Sequence, residues 1–143
     1  MVRIINYAKG GFTITTDKEK IDIETVHKFL SNSYWASTRS KEVIISSIEN
    51  SLCFSIFKVD KQVGFARVIT DYSTFAYLCD VYIEEQFRGN GLGTWMLECI
   101  LNHPNLLNLR RWLLATKDAQ DLYRKFSFNN LKSPEKFMEL SND

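Results

Sequence analysis

The spacing most suggestive of chemistry is a run of alternate glycines, Gly89, Gly91 and Gly93, in a chain that has only six glycines. They separate a strand-like run, 75–83, from an apolar run typical of a helix. Glycines at such a junction let the backbone turn tightly and approach a ligand closely. The unpaired N–H groups and the dipole of a helix N-terminus favour an anion. The pattern therefore predicts a site for a phosphate-bearing ligand, with Arg88 adding a charge at its edge.

This glycine spacing matches neither of two common nucleotide-phosphate motifs. A P-loop requires Gly-Lys followed by Ser or Thr, which the chain lacks. The dinucleotide fingerprint requires a different third spacing and a βαβ opening, whereas the preceding runs here predict a meander of strands. A plain strand-to-helix turn, in which the glycines serve packing alone, is the alternative to a ligand site.

The elements before the glycine loop can be predicted from the periodicity of apolar residues. The β-branched run 11–17 predicts a first strand, and the next two segments, 21–31 and 40–50, predict short helices. Ser40 is the expected N-cap of the second helix. Two strands that form a hairpin around Asp60-Lys61 follow, and a third strand leads into the loop.

The elements after the loop alternate between helix and strand. An apolar helix from residue 92 stops before Pro104, and residues 110–116 predict a buried strand. Residues 118–126 predict a helix with Asp118 as its N-cap, and the tail is expected to contain one more strand. The order β-α-α-β-β-β-α-β-α-β predicts an α+β fold with a mixed α/β sheet.

Composition excludes several other classes of protein. With 18 basic and 17 acidic residues the net charge is +1, which gives no electrostatic case for binding nucleic acid or an anionic membrane. Three cysteines without CxxC spacing argue against a disulfide framework or a zinc site. No signal sequence or membrane span is evident, so a cytoplasmic location is expected. His27 and His103 are expected at the surface.

The segment Arg88 to Gly93, RGNGLG, resembles the signature of the GNAT superfamily of N-acetyltransferases, Arg/Gln-x-x-Gly-x-Gly/Ala. Residues 77–97 and 113–128 resemble the family's fourth strand to third helix and its fifth strand to fourth helix. The resemblance implies a GNAT-type fold, with a central, mostly antiparallel sheet of six to seven strands and about four flanking helices. Ser127 stands where the family usually has glycine, and a positive φ there would be strained.

The resemblance also implies acetyl-CoA as co-substrate. Its pyrophosphate would be bound by the backbone of Arg88, Gly89, Asn90, Gly91, Leu92, Gly93 and Thr94. Backbone groups of Val81, Tyr82 and Ile83 would hold the pantetheine arm and polarise the thioester carbonyl. The arm would enter where the fourth and fifth family strands splay apart, and Asp118 is expected to contact it as well.

Two side chains are candidate catalytic residues by the same resemblance. Tyr123 matches the family tyrosine that protonates the leaving thiolate; as an alternative it is a core tyrosine. Asp80 lies inside an apolar strand, where a carboxylate is unexpected. It is a candidate to accept the amine proton or to bind a cationic acceptor; alternatively, backbone donors or Arg67 across the sheet satisfy it. Glu84 is a second candidate base, although solvation in a loop is the plainer expectation.

The acceptor site is expected in the loop between the first two helices. Tyr34 and Trp35 are candidates to wall a pocket there, and Arg39 is a candidate to bind a carboxylate; packing onto the sheet is the alternative for the aromatic pair. We thus expect one domain, residues 1–143, that acetylates a primary amine of a small molecule by direct attack in a ternary complex, without metal. It is expected to be a monomer or homodimer. The alternatives are a protein or peptide amine as acceptor, or a non-catalytic acyl-CoA-binding module.

Overall fold

The computed structural model, which describes residues 2–142, contains six strands and four helices, and the glycine loop lies between the fifth strand and the third helix. The strands are β1 (Asn6–Lys9), β2 (Phe12–Thr15), β3 (Leu52–Lys58), β4 (Lys61–Thr70), β5 (Phe75–Ile83) and β6 (Arg111–Leu114). The helices are α1 (Ile23–Ser31), α2 (Lys41–Glu49), α3 (Leu92–Leu101) and α4 (Gln120–Arg124). The strands form one sheet in chain order, antiparallel except for the parallel pair β5–β6. This confirms the predicted mixed, mostly antiparallel sheet.

The first hairpin contains a strand that the periodicity did not predict. β1 pairs with β2 through a two-residue turn at Gly10 and Gly11, whose φ angles are 57° and 83°. Both positions of such a turn require positive φ, which glycine adopts without steric cost. The adjacent pair of glycines was the available signal for this strand.

The predicted strand in the tail was wrong. Among residues 125–142 the structure has only a short 3₁₀ turn, Pro134–Lys136. Ser127 has the strained positive φ that was expected there, 72°, and turns the chain away from a continuous extended path. Proline at position 134 also lacks the N–H that a strand ladder needs.

Helices cover both faces of the sheet because its strands alternate apolar side chains between them. α1 and α2 pack with Phe65 and Cys53 on one face, while α3 and Tyr123 of α4 pack with Phe54 and Leu78 on the other. Along the chain, the apolar residues of β3 and β4 therefore belong to two separate clusters. The sheet is buried between two layers of helix.

The helix starts confirm one predicted cap and correct another. Ser40 Oγ accepts the backbone N–H of Val43 at 3.2 Å, as expected for the N-cap of α2. Asp118 does not cap α4: the helix begins one residue later than that role requires, and Ala119 occupies the N-cap position. Thr116 Oγ1 instead accepts the Ala119 N–H at 3.1 Å, so Asp118 points its carboxylate elsewhere.

His103 is buried, which corrects its expected surface position. Its side chain is 0% exposed, and its ring lies 5.8 Å from that of Phe54. Nδ1 accepts the backbone N–H of Asn105 at 3.1 Å, while Nε2 has no hydrogen-bond partner among residues 2–142. Burial, and then the charge of Arg3, lower the pKa of this imidazole. The surface prediction rested on the place of His103 at the end of a helix, but the chain after the helix folds back and buries the side chain.

Candidate active site

The two central strands of the site separate after a short paired region. β5 and β6 pair in parallel from Phe75 opposite Arg111 to Leu78 opposite Leu114, where β6 ends. β5 continues for five more residues, to Ile83, without a strand partner on that side among residues 2–142. An extended molecule can therefore lie along this free edge and pair with its backbone.

A bulge in β5 lies at the point where the strands separate. Phe65 pairs with Tyr82 and Arg67 with Cys79, so one residue of β4 faces two residues of β5. Asp80 takes a φ of 52° there, a conformation that is uncommon outside glycine. The bulge changes the direction of the strand and turns the Asp80 side chain into a buried position.

A cavity of about 430 Å³ occupies the space between the separated strands. It brings together six of the predicted site residues: Tyr34, Trp35, Asp80, Val81, Asp118 and Tyr123 all line it. The other lining residues belong to β5 (Tyr77, Leu78 and Cys79), to the end of β6 (Leu114) and to the segment after it (Ala115, Thr116, Lys117 and Ala119). No role had been predicted for Ala115, Thr116, Lys117 or Ala119, and their best signal was their position directly after a buried strand.

Asp80 is the most constrained side chain of the cavity. Its Oδ1 accepts the Trp35 indole N–H at 2.9 Å. Its Oδ2 accepts Arg39 Nη1 and Arg67 Nε, both at 2.8 Å. The carboxylate is 2% exposed, so these three donors and not water satisfy it. The alternative prediction, that Arg67 satisfies Asp80 across the sheet, is confirmed. Arg39 and Trp35, which were predicted to contact the acceptor, also bind this carboxylate.

The loop between α1 and α2 reaches across the cavity through Tyr34. The backbone N–H of Lys117 donates a hydrogen bond of 2.9 Å to the Tyr34 hydroxyl, and the Lys117 ammonium lies 5.1 Å from the Tyr34 ring centroid. Tyr34 also packs edge-on against Trp35, with ring centroids 5.1 Å apart. One continuous set of contacts thus links Lys117 to Asp80 over the cavity.

Tyr123 of α4 lines the same cavity. It is 8% exposed, and its ring packs edge-on against Phe128 at 5.9 Å. Burial, together with Tyr34 and Asp118, raises the pKa of Tyr123 to about 12. Its hydroxyl makes no hydrogen bond within residues 2–142, so the proton that it carries is available to a ligand.

The glycine loop has the geometry of an anion site. Gly89 and Gly91 adopt φ angles of 80° and 79°, and Gly91 is the N-cap of α3. No side chain caps this helix, whose first intrahelical hydrogen bond comes from the N–H of Trp95. The N–H groups of the first turn therefore have no partner in their own helix and face a ligand or water. A Cβ on Gly93 would touch only Leu122 Cδ2, at 3.9 Å, so packing does not require glycine there.

A groove of about 260 Å³ runs over this loop, lined by Ile83, Arg88, the three glycines, Leu92 and Thr94, with Phe87 and Leu122. Arg88 folds back onto β5, donating from Nε to the Ile83 carbonyl at 2.8 Å and lying 5.0 Å from the Tyr82 ring. Asn90 Nδ2 donates to the Phe87 carbonyl at 3.3 Å, which closes the loop on itself. The Tyr82 side chain stacks on Phe29 of α1 and does not enter the cavity.

Glu84, the second candidate base, lies outside the cavity. Its Oε1 accepts from Lys61 at 3.3 Å and from Gln86 at 3.1 Å. No group of three or more His, Cys, Asp or Glu side chains within residues 2–142 is arranged to hold a metal ion. The helices of the same residues are too short or too polar to cross a membrane.

Comparison with known proteins gives one consistent result. Residues 22–128 match the model of the acetyltransferase (GNAT) family. A Gibberella zeae protein, FG08082, whose name places it among the acetyltransferases, is 31% identical over an alignment that covers 84% of this chain and 80% of the relative.

Solved structures share the architecture. The crystal structure of a GNAT-family protein from Xanthomonas campestris, xcc2953, superposes with a TM-score of 0.90 at 38% identity, covering 94% of this chain and 95% of that one. A GNAT-family acetyltransferase from Elizabethkingia anophelis, solved with acetyl-CoA bound, superposes with a TM-score of 0.67 at 15% identity, covering 94% and 91% of the two chains.

Proposed function

The chain belongs to the acetyltransferase (GNAT) family, and from that premise we propose that it transfers the acetyl group of acetyl-CoA to a primary amine of a small molecule. The observation that carries the proposal is the cavity at the separation of β5 and β6, because it joins a free strand edge to a buried phenol. The anion site of the glycine loop lies at the end of the same strand. A single long ligand with a diphosphate and a thioester fits such an arrangement.

The residues present fit acetyl-CoA as co-substrate. The unpaired N–H groups at the start of α3, with the positive φ of Gly89 and Gly91, suit its pyrophosphate. The free edge of β5 at Val81 and Tyr82 suits the amide groups of its pantetheine arm. The Ile83 carbonyl already accepts one hydrogen bond from Arg88 and has one lone pair left for a ligand. Asp118 lines the cavity and is proposed to contact the same arm.

The reaction forms a C–N bond and breaks a C–S bond. The neutral amine attacks the thioester carbonyl carbon, the sulfur leaves with the electron pair of the broken bond, and the amine nitrogen loses one proton. Backbone N–H groups on the free edge of β5 are proposed to stabilise the oxyanion that forms on the way. A free alkylamine is neutral in only about one molecule in 2,500 at pH 7, so the reaction requires a site that disfavours the protonated form of the amine.

Tyr123 is proposed to donate its proton to the leaving sulfur and to regain one from solvent. A phenol with a pKa of about 12 is a weak acid toward a thiolate in water, whose thiol has a pKa of roughly 8.5. The cavity changes this comparison, because burial raises the pKa of the Cys79 thiol on its wall to about 11. Burial in the same cavity would raise the pKa of a leaving thiol in the same direction, which makes its thiolate a stronger base and proton transfer from Tyr123 less unfavourable.

Asp80 is proposed to position the acceptor loop and not to remove the amine proton. Three donors, two of them guanidinium groups, already use its two oxygens. Because both oxygens are bonded to these donors and the side chain is 2% exposed, the carboxylate has no free face for the amine. The amine proton is then proposed to leave through water that enters the cavity mouth.

The hydrogen bond between Tyr34 and the Lys117 backbone favours a small molecule as acceptor over a protein side chain. It spans the cavity from the α1–α2 loop to Lys117, so a peptide chain would first have to displace it. A cytoplasmic location and a monomeric or homodimeric state remain predictions. The described chain has three free cysteines, which agrees with a reducing compartment.

The test is thiol release from acetyl-CoA with a panel of small primary amines, comparing the wild type with Tyr123→Phe. We expect amine-dependent release that the substitution slows by about 10²- to 10⁴-fold in kcat. The dissociation constant of acetyl-CoA should stay the same in both proteins. A protein that binds acetyl-CoA but shows no amine-dependent release would be a non-catalytic acyl-CoA-binding module.

A further inference from the structure

We propose that the acceptor amine also carries a carboxylate, which Arg39 binds beside the cavity. The inference rests on the proposed function and concerns the substrate class of the same site. It starts from the charges around Asp80, where one carboxylate is bonded to two guanidinium groups. The cluster of Arg39, Asp80 and Arg67 therefore has a formal net charge of +1.

The negative member of this cluster, Asp80, lines the cavity but is almost fully buried and has both oxygens bonded. The Asp80 side chain is 2% exposed and the Arg67 side chain 11%, whereas the Arg39 side chain is 23% exposed. Arg67 is held further by its bond to Ser51 Oγ at 3.2 Å. Arg39 is thus the most exposed member of the cluster, and it lies next to the cavity through its bond to Asp80, which lines the wall.

Arg39 has donors left for such a ligand. Within residues 2–142 its side chain donates only through Nη1, to Asp80. The opposite edge of the guanidinium, Nε and Nη2, is a planar pair of donors that matches the two oxygens of a carboxylate. Bidentate pairing of this kind gives both affinity and orientation.

The remaining charges of the cavity do not reverse this preference. Lys117 and Asp118 are adjacent on its wall and offset each other in formal charge. Apart from Asp80, whose charge is compensated by Arg39 and Arg67, the other lining side chains are uncharged, with Tyr34, Trp35 and Tyr77 supplying aromatic surface. A second amine on the acceptor would be repelled by the Arg39 cluster, so polyamines are disfavoured and short amino acids are favoured.

The experiment compares matched acceptors that differ only in the distant group. Straight-chain ω-amino acids of four to six carbons are assayed against their primary amides, with kcat/KM expressed per neutral amine and with a diamine of equal length as a third arm. We expect the wild type to prefer the acid over the amide by tenfold or more, and over the diamine by more. Arg39→Gln should bring the acid-to-amide ratio close to one, and Arg39→Lys should keep part of it.

Arg3→Gln is the matched control, because Arg3 is an exposed arginine outside the cavity and its removal should leave the ratio unchanged. A wild-type ratio of one or below, a preference for the diamine, or a ratio that Arg39→Gln does not change would overturn the proposal. The loss of Arg39 leaves Asp80 with two donors, so circular dichroism should first establish that the variant is folded; Arg39→Lys serves if it is not.

Failure of this inference is distinguishable from failure of the proposed function. Turnover of amides and diamines without preference for the acid refutes the carboxylate site and leaves the acetyltransferase intact. Absence of turnover with every amine refutes both. Quenching of tryptophan fluorescence by the acid, but not the amide, in the presence of free CoA gives a reading of acceptor binding that needs no turnover.

Discussion

The indole N–H of Trp35 donates a hydrogen bond of 2.9 Å to Oδ1 of Asp80, although 45 residues separate them in the chain. The bond fixes the loop between α1 and α2 to β5, at the point where β5 separates from β6. Because Arg39 of the same loop binds the other oxygen of Asp80, one buried carboxylate holds two residues of this loop in place. The position of the loop thus depends on a charge in the sheet.

Replacement of Asp80 by Asn should destabilise the protein and disturb the acceptor site. The amide cannot compensate Arg39 and Arg67, and breaking a buried ion pair costs about 3 kcal/mol of unfolding free energy. Urea unfolding measures this. In the acetyl-transfer assay we expect a raised KM for the amine and less than a tenfold loss of kcat. A loss of 10²-fold or more in kcat, with a changed pH profile, would instead identify Asp80 as the base.

The pH profile of the reaction should show no fall in activity from deprotonation of Tyr123 up to pH 10. Its pKa is raised to about 12, so the phenol keeps its proton over the whole range in which the acceptor amine becomes neutral. We therefore expect kcat/KM to rise with pH to a plateau set by the amine. A falling limb centred below pH 10 that disappears in Tyr123→Phe would contradict the raised pKa.

Gly93 and Gly91 of the glycine loop should differ in the effect of replacement by alanine. Gly93→Ala places a Cβ 3.9 Å from Leu122 within the first turn of α3, where alanine is favoured over glycine by up to about 1 kcal/mol. The variant should be at least as stable as the wild type but bind acetyl-CoA more weakly, by about tenfold, since the methyl group faces the groove.

Gly91→Ala is the companion change. Its φ of 79° strains any L-residue, which costs roughly 1–2 kcal/mol of stability. Thermal unfolding and calorimetric titration with acetyl-CoA measure both variants. Unchanged affinity in Gly93→Ala would mean that the glycine there has no ligand to accommodate.

Ser127→Gly should stabilise the protein. Ser127 adopts a φ of 72°, and glycine removes the steric cost of that conformation while adding chain entropy to the unfolded state. We expect a net gain of about 0.5–1 kcal/mol in unfolding free energy, with activity unchanged. A lower midpoint in urea for Ser127→Gly would show that the serine side chain stabilises this turn.

His103 should make the protein less stable in acid. Burial lowers its pKa in the folded state, so the unfolded chain binds the proton more tightly as pH falls. The imidazole contributes no penalty well above its unfolded pKa of about 6.5, and stability is lost as pH decreases below that value. His103→Asn keeps an acceptor for the Asn105 N–H and should flatten the fall in urea midpoint between pH 7 and 5. Equal slopes in the two proteins would contradict this account.

The elements with strong local signals were predictable from the sequence. The glycine loop, the run into β5 and the apolar α3 each carry a pattern that fixes their structure within about ten residues. Their order was sufficient to predict a mixed sheet of this family. Tyr123 and Asp80 were assigned to one site by the family resemblance, and both line the cavity.

The contacts between distant segments were not predictable in the same way. Nothing local to Trp35 or Arg39 indicates that their partner is Asp80, because the bulge that turns this carboxylate toward them arises from the pairing of β4 with β5. The Tyr34–Lys117 bond joins loops 83 residues apart for the same reason. His103 was misplaced because a polar residue at a helix end usually meets solvent, whereas here the following turn covers it.

Calorimetric titration with acetyl-CoA, beside CoA, ATP and NAD, is the most direct test of the central claim. The account predicts micromolar binding of acetyl-CoA and CoA, much weaker binding of ATP and NAD, and loss of affinity in Gly93→Ala. Absence of CoA binding by the folded protein would contradict it, because the glycine loop would then be only a turn between β5 and α3.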